Sequence, residues 1–290
     1  METGLAEAAV KDQAAVMPFA KSLTVAFVVL GLAALGAPAM AASAWRPLDL
    51  ENTLVVDTTK GRIVIEMSPE LAPLAVARVK LLTREHLYDG LLFHRVIDGF
   101  VDQTGNPNNQ DGGTSSHPNL APEFVAHLPP DRFFPVRQAV DSQQGFVGAL
   151  PVEAVSAAEA GRAKDGKLRL WGAYCPGVAG MGRQADPGSA NSELFFMRDA
   201  ARRLDRDYTV WGKVVVGLDV IRAVAIGEPP ANPDKMLTVR VAADMPPKAQ
   251  PKYQMMDERG PVFASLAAKL RKDKGADFSV CDVVVPARGH

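Results

Sequence analysis

Between Tyr88 and Gly105 a single arginine, Arg95, stands in apolar, strand-like sequence: Leu91-Leu92-Phe93-His94-Arg95-Val96-Ile97, then Asp98-Gly99, then Phe100-Val101-Asp102-Gln103-Thr104. Burying a guanidinium is costly unless it is paired or open to solvent. Arg95 therefore either closes a salt bridge at a strand end or faces a ligand at a surface. What it can offer a ligand is electrostatic: a planar donor that never loses its charge. Signatures of other chemistries are missing. The chain has no G-x-S-x-G, H-E-x-x-H, C-x-x-C, P-loop or G-x-G-x-x-G. Its five histidines, His86, His94, His117, His127 and His290, lack metal-ligand spacing. No metal and no cofactor is expected. His94, on a strand with aromatic neighbours, reads as a core group satisfied by a hydrogen bond.

The elements around Arg95 must position it. Leu54–Thr58 and Arg62–Glu66 flank Thr59-Lys60-Gly61 and predict a hairpin. Pro73 suits the first turn of a helix; Ala75, Val79, Leu82 and His86 follow at helical spacing, and Tyr88-Asp89-Gly90 ends it. Leu91–Ile97 and Phe100–Thr104 predict a second hairpin on a two-residue Asp98-Gly99 loop. Ideal pairing then sets Arg95 opposite Asp102 and sends Gln103 to the other face. A contact between Arg95 and Gln103 would need a bulge or strong twist; an Arg95–Asp102 pair would be structural. Residues 105–123 read as a long loop. Residues 124–170 read as an insertion between core strands, with an Ala-rich helix near 153–163. Strand character returns at Leu168–Met181, Glu193–Arg198 and Tyr208–Val216. A short helix is expected at 217–224, then a strand at Met236–Ala242 with Leu237, Val239 and Val241 on one face. Residues 244–252 read as a linker; a helix (Phe263–Lys272) and a strand (Phe278–Val285) form an appendage within a C-terminal extension, 244–290. Many short strands with Gly/Pro turns and two central helices predict a mainly β fold, either a closed antiparallel barrel or a sandwich.

The 290 residues are 47% hydrophobic and 22% charged, with net charge −1. That is ordinary for a globular protein and lacks the basic excess of a nucleic-acid binder. The 24 Gly and 22 Pro are spread through the chain as turns. Lys21 precedes an uncharged run, Ser22–Ala44, which ends in Ala39-Met40-Ala41 and Ala42-Ser43-Ala44. This reads as a secretory signal peptide within residues 1–44, with Met17 an alternative start, because residues 1–16 hold three acids. The apolar part, Leu23–Leu35, is short for a membrane span. Contact with a membrane is expected only through an uncleaved leader, and the location is expected to be periplasmic. Cys175 and Cys281 read either as a disulfide, which an oxidising compartment permits, or as two small buried hydrophobes.

The stretch Tyr88–Gly105 resembles the signature of the cyclophilin family, Y-D-G-x-x-F-H-R-V-I-x-G-F-x-x-Q-x-G, and fills every fixed position of it. The resemblance continues upstream to Lys60-Gly61 and Ala72-Pro73. Downstream it takes in Ser189-Ala190-Asn191-Ser192-Glu193-Leu194-Phe195-Phe196, Leu204-Asp205 and Val210-Trp211-Gly212-Lys213-Val214. It spans about residues 53–243, interrupted by 124–170. It implies a closed eight-stranded antiparallel barrel with a helix at each end, and peptidyl-prolyl cis/trans isomerase activity at a proline pocket on the outer face. Carried over by position, Arg95 is the catalytic arginine and Gln103 orients it. Phe93, Phe100, Val101, Phe195 and Leu204 line the pocket, and Gly182 and Arg183 grip the residue before proline. Glu193 and Tyr208 complete the substrate site. Four positions depart from the family: Arg183 for asparagine, Glu193 for glutamine, Arg203 for tryptophan and Tyr208 for histidine.

Such a site needs no nucleophile. Rotation about an X–Pro bond faces a barrier of ~18–20 kcal/mol from amide resonance, and no bond breaks. In the twisted state the prolyl nitrogen is pyramidal and its lone pair is free. A fixed guanidinium donor that binds this state better than the planar one accelerates the step. The implied partners are proline-containing segments of unfolded or folding proteins, met by a monomer. The four departures and the insertion favour a second reading, a cyclophilin-fold chaperone that grips proline peptides with little turnover.

Overall fold

The computed structural model describes residues 44–110 and 112–289; the expected signal peptide lies outside them except for Ala44. A short strand, β1 (Trp45–Pro47), precedes the expected hairpin of β2 (Thr53–Thr58) and β3 (Gly61–Met67). Gly61, at φ +138°, pairs with Thr58 across the turn. Helix α1 (Pro73–Arg84) starts on Pro73 and buries Ala75, Val76, Val79 and Leu82. It stops short of His86, which takes a left-handed φ of +58°.

The second hairpin differs from expectation by one residue. Strands β4 (Arg95–Ile97) and β5 (Val101–Thr104) are joined by three residues, Asp98–Phe100, because Ile97 pairs with Val101. Phe100 N–H donates to the Ile97 carbonyl at 3.1 Å, and Gly99 takes φ +63° inside that turn. The extra loop residue moves the register, so Arg95 lies opposite Gln103 and Val96 opposite Asp102.

The insertion is a sheet. Strands β6 (Ala126–Leu128), β7 (Phe134–Gln138), β8 (Ser142–Val147), β9 (Leu150–Val155) and β10 (Leu168–Gly172) run antiparallel in the order β6-β10-β9-β8-β7. The helix expected near 153–163 shrinks to one turn, α2 (Ala157–Ala160). Leu150, Val152, Ala154 and Val155 are all buried on β9, and that packing overrides the helix preference of alanine.

Strands β11 (Val178–Met181), β12 (Leu194–Met197) and β13 (Val210–Val216), helix α3 (Leu218–Ala223) and strand β14 (Met236–Val241) complete the main sheet. Its order is β14-β2-β3-β13-β11-β12-β5-β4, antiparallel throughout. The expected closed barrel is an open half-barrel: β4 and β14 form no ladder. Leu91–His94, expected as strand, crosses that seam as irregular chain with a single antiparallel bridge from Leu92 to Lys235; Gly90 N–H donates to the Met236 carbonyl (2.7 Å) and Phe93 N–H to the Asp234 carbonyl (2.9 Å). A bulge after Met236 turns Leu237 outward, 46% exposed, while Met236, Val239 and Val241 point in.

The C-terminal part contains β15 (Tyr253–Met256), α4 (Pro261–Lys274) and β16 (Ala287–Gly289). Strand β1 joins them in a sheet of order β1-β15-β16. Phe278–Val285 is not a strand. Its one 3-10 turn, Val280–Asp282, is held locally by a capping box between Ser279 and Asp282. Cys175 and Cys281 form a disulfide, with Cα atoms 5.0 Å apart. One core fills the half-barrel around Ile65, Phe93, Phe196 and Trp211. Another joins the insertion and α4 to the outer face through Phe146, Leu170, Tyr174, Phe195 and Phe263.

Candidate active site

On the outer face of the half-barrel, Arg95, Phe100, Val101, Gln103, Gly182, Arg183, Phe195, Leu204 and Tyr208 line a shallow pocket of about 100 Å³. Four strands supply its base. Adjacent ladders place Arg95 on β4 opposite Gln103 on β5, and Gln103 opposite Phe195 on β12. Phe195 in turn lies opposite Gly180 on β11. A side chain at Gly180 would collide with the Phe195 ring and the Tyr174 hydroxyl, so glycine is needed for the ring to lie flat there. Phe195 stacks on Tyr174 at 5.6 Å and meets Tyr208 edge-on at 5.8 Å. Such aromatic contacts fix ring planes as well as burying area.

Arg95 is partly open, with 30% of its side chain exposed. Its Nη1 donates to Gln103 Oε1, and its Nε donates to Glu228 Oε2 at 2.7 Å. Behind Gln103, the buried Glu193 accepts from Gln103 Nε2 (2.9 Å) at one oxygen and from Gly112 N–H (2.7 Å) at the other. Because Gln103 Nε2 donates to Glu193, the amide end that Gln103 turns to Arg95 is its oxygen. His94 Nε2 lies 3.9 Å from the same carboxylate, buried as expected. Asp102, the other candidate partner of Arg95, instead pairs with the buried Arg198 at 2.9 Å. Burial pushes Asp102 up to about 7, with Arg198 opposing.

Two site residues sit elsewhere than expected. Phe93 is fully buried inside the half-barrel and does not line the pocket: strand alternation would set it on the same side as Arg95, two residues on, but the chain is not strand before β4 and Phe93 turns inward. Glu193 is 3% exposed and stands behind Gln103, out of reach of a substrate in the pocket. Three departures from the family form the pocket's rim. The guanidinium of Arg203 lies 4.4 Å from the Phe100 ring centre, and that of Arg183 lies 4.4 Å from Tyr208. Arg183 is also tied to Asp207 at 2.6 Å. Cation–π contacts of this kind cover aromatic faces that would otherwise meet water.

Sequence reasoning missed Glu228, Tyr174 and the supports of the 199–209 segment. Arg202 bridges Glu153 on β9 to Asp205 (2.6 Å), and Asp205 accepts from Tyr174 N–H at 2.9 Å. Burial raises the Asp205 carboxyl above its ordinary value, with Arg202 opposing. Arg206 covers Trp171 on β10 at 4.7 Å. Apart from Arg202 with Asp205, three residues apart, these pairings join residues distant in sequence, and no local pattern signals them.

Residues 53–241 match the family described as cyclophilin type peptidyl-prolyl cis-trans isomerase/CLD. Probable peptidyl-prolyl cis-trans isomerases of Brucella suis and Brucella abortus are each 32% identical over 212 residues, covering 68% of this chain and 85% of their own. The crystal structure of cyclophilin AquaCyp293 from Hirschia baltica is 34% identical, with a TM-score of 0.77, and covers 84% of this chain and 92% of its own. The match runs through every strand of the half-barrel, Arg95 included, and the chain belongs to the cyclophilin-type peptidyl-prolyl cis-trans isomerases.

Proposed function

We propose that Arg95 accelerates rotation about X–Pro bonds by donating to the prolyl nitrogen of the twisted amide, while the pyrrolidine ring rests on Phe195 between Val101, Phe100 and Leu204. The observation that carries this reading is a partly open guanidinium, held from two sides, at the edge of an apolar pocket. The donor is charged, desolvated on one side and already fixed, so little reorganisation accompanies the step. Gln103 keeps the arginine in place, and Gly182 lines the pocket beside Arg183. On a proline tetrapeptide, Arg95→Ala should slow isomerisation on the order of 10²-fold, the cost of losing one preorganised donor. Peptide affinity should change only a few-fold. An unchanged rate would sink the catalytic assignment. Tight peptide binding with negligible turnover in the wild-type protein would favour the chaperone reading instead, which the four departures from the family and the insertion motivate.

The substrates we propose are exported proteins, handled in the periplasm by a monomer. Support comes from the uncharged run Ser22–Ala44 with its small-residue ends and from the Cys175–Cys281 disulfide, a bond that reducing compartments disfavour. Intact mass of the protein from a periplasmic fraction should show loss of the first 41 or 44 residues. A full-length mass in the cytoplasmic fraction would refute export.

A further inference from the structure

We propose that Glu228 is a positioning residue of the isomerase site, holding Arg95 at Nε so that Nη2 is the donor left for the substrate. The inference rests on the reading of Arg95 given above. A guanidinium is a planar fork whose donors point in fixed directions. One hydrogen bond would let it pivot about that bond; two bonds on different nitrogens, to groups from different parts of the chain, fix the plane. Gln103 of β5 takes Nη1 and Glu228 takes Nε. Nη2 lies between them and has no partner among the described residues.

The carboxylate is placed by backbone, not by chance contact. Gly227, the residue before it, forms an antiparallel bridge with Val96, the residue after Arg95: Val96 N–H donates to the Gly227 carbonyl (2.8 Å) and Gly227 N–H to the Val96 carbonyl (2.9 Å). In an antiparallel bridge the residue following one partner lies beside the residue preceding the other, which sets Glu228 next to Arg95. Pro229 and Pro230 follow and limit the backbone freedom of the segment. Ala225 N–H is anchored to Asp234 at 2.9 Å. The Glu228 side chain is 53% exposed and is not among the residues that line the pocket. An arginine free on its outer edge would sample many rotamers. Held at both ends, it presents one donor in one direction, which is the preorganisation that a twisted amide requires.

The test is steady-state kinetics of the full chain on a proline tetrapeptide, with thermal melts as a control for folding. Glu228→Ala should lower kcat about tenfold, a loss typical of a misaimed catalytic group, and leave KM within twofold. Glu228→Gln keeps an acceptor at Nε and should recover most of the loss. In an Arg95→Ala background, Glu228→Ala should cause no further loss. The inference is overturned if Glu228→Ala leaves kcat unchanged, raises it as removal of a blocking group would, or affects KM alone. It is also overturned if the loss persists without Arg95. Should Arg95→Ala itself be as fast as wild type, the catalytic reading falls and this inference falls with it; a slow Arg95→Ala beside a normal Glu228→Ala sinks this inference alone.

Discussion

Two walls of the proline pocket are held by different physics. Arg95, Gln103 and Phe195 stand on β4, β5 and β12, strands that are one another's ladder partners. Leu204 and Tyr208 stand on residues 199–209, a segment with no strand in it. A ladder fixes its residues through repeated backbone bonds within the half-barrel. The lip is fixed by partners from outside it: Glu153 and Trp171 of the insertion, and Tyr174 next to the Cys175–Cys281 bond to the C-terminal part. Ala201 N–H also donates to the Tyr174 carbonyl at 2.9 Å. The insertion and the disulfide to the C-terminal part thus contact the lip, which no ladder of the half-barrel holds.

Cutting the disulfide should have the largest effect on stability and should separate the walls. It closes a loop with a sequence separation of 106 residues. Replacing both cysteines by serine should cost about 4.7 kcal/mol by the loop-entropy model, within the roughly 2–5 kcal/mol typical of lost native disulfides. Urea unfolding measures this directly. At temperatures where the variant stays folded, KM should rise several-fold with kcat retained, because Arg95 and its partners sit on the ladder side. A fall in kcat at constant KM would show that the two walls do not move separately.

A smaller loss is expected from Gly180→Ala on the ladder wall. The new methyl would meet the Phe195 ring and lie 2.7 Å from the Tyr174 hydroxyl, and overpacking of this kind costs about 1–3 kcal/mol. Here both stability and kcat/KM should fall, since Phe195 must tilt off the base of the pocket. A thermal melt and turnover at wild-type values would show that the ring has slack, and that the ladder wall is no stiffer than the lip.

The same division explains how far the sequence could be read. The hairpin of β2 and β3 and the helix from Pro73 follow from local periodicity and turn chemistry, whereas the bulge after Met236 breaks the alternation expected of β14. Arg95 and the apolar base were legible because a long, nearly continuous motif carries them. The one-residue register error at Asp98–Phe100 came from reading Asp98-Gly99 as a two-residue loop. Phe100 completes the turn, and that single residue decides whether Arg95 faces Gln103 or Asp102. The insertion was opaque because its alanines favour a helix locally while burial on both faces of β9 favours a strand. The lip contacts and Glu228 were out of reach for a different reason. Arg202 and Glu153 are 49 residues apart, and Arg95 and Glu228 are 133 apart, so only the assembled fold makes them neighbours.

The most delicate probe of the lip is Arg202. Its guanidinium, 29% exposed, reaches Glu153 with Nη2 and Asp205 with Nε. Arg202→Ala removes a partly exposed pair, worth about 1 kcal/mol, and leaves the buried Asp205 supported by Tyr174 N–H. Tyr174 then holds the lip less firmly, so KM should rise about threefold, a shift of ~0.7 kcal/mol, with kcat unaltered. The pH dependence carries the sign. A carboxyl whose folded-state pKa lies above its unfolded value binds protons more tightly when folded, so it removes stability as pH rises through that range. Burial places Asp205 in this class, and Arg202 limits the shift. Without Arg202 the decline should begin from the same acid limit and run further. The stability gap between wild type and variant should therefore widen from about pH 4 to neutrality when measured by urea unfolding. A gap that stays constant over that interval would mean that Arg202 does not act on Asp205, and that the insertion braces the lip through the stacking of Arg206 on Trp171 alone.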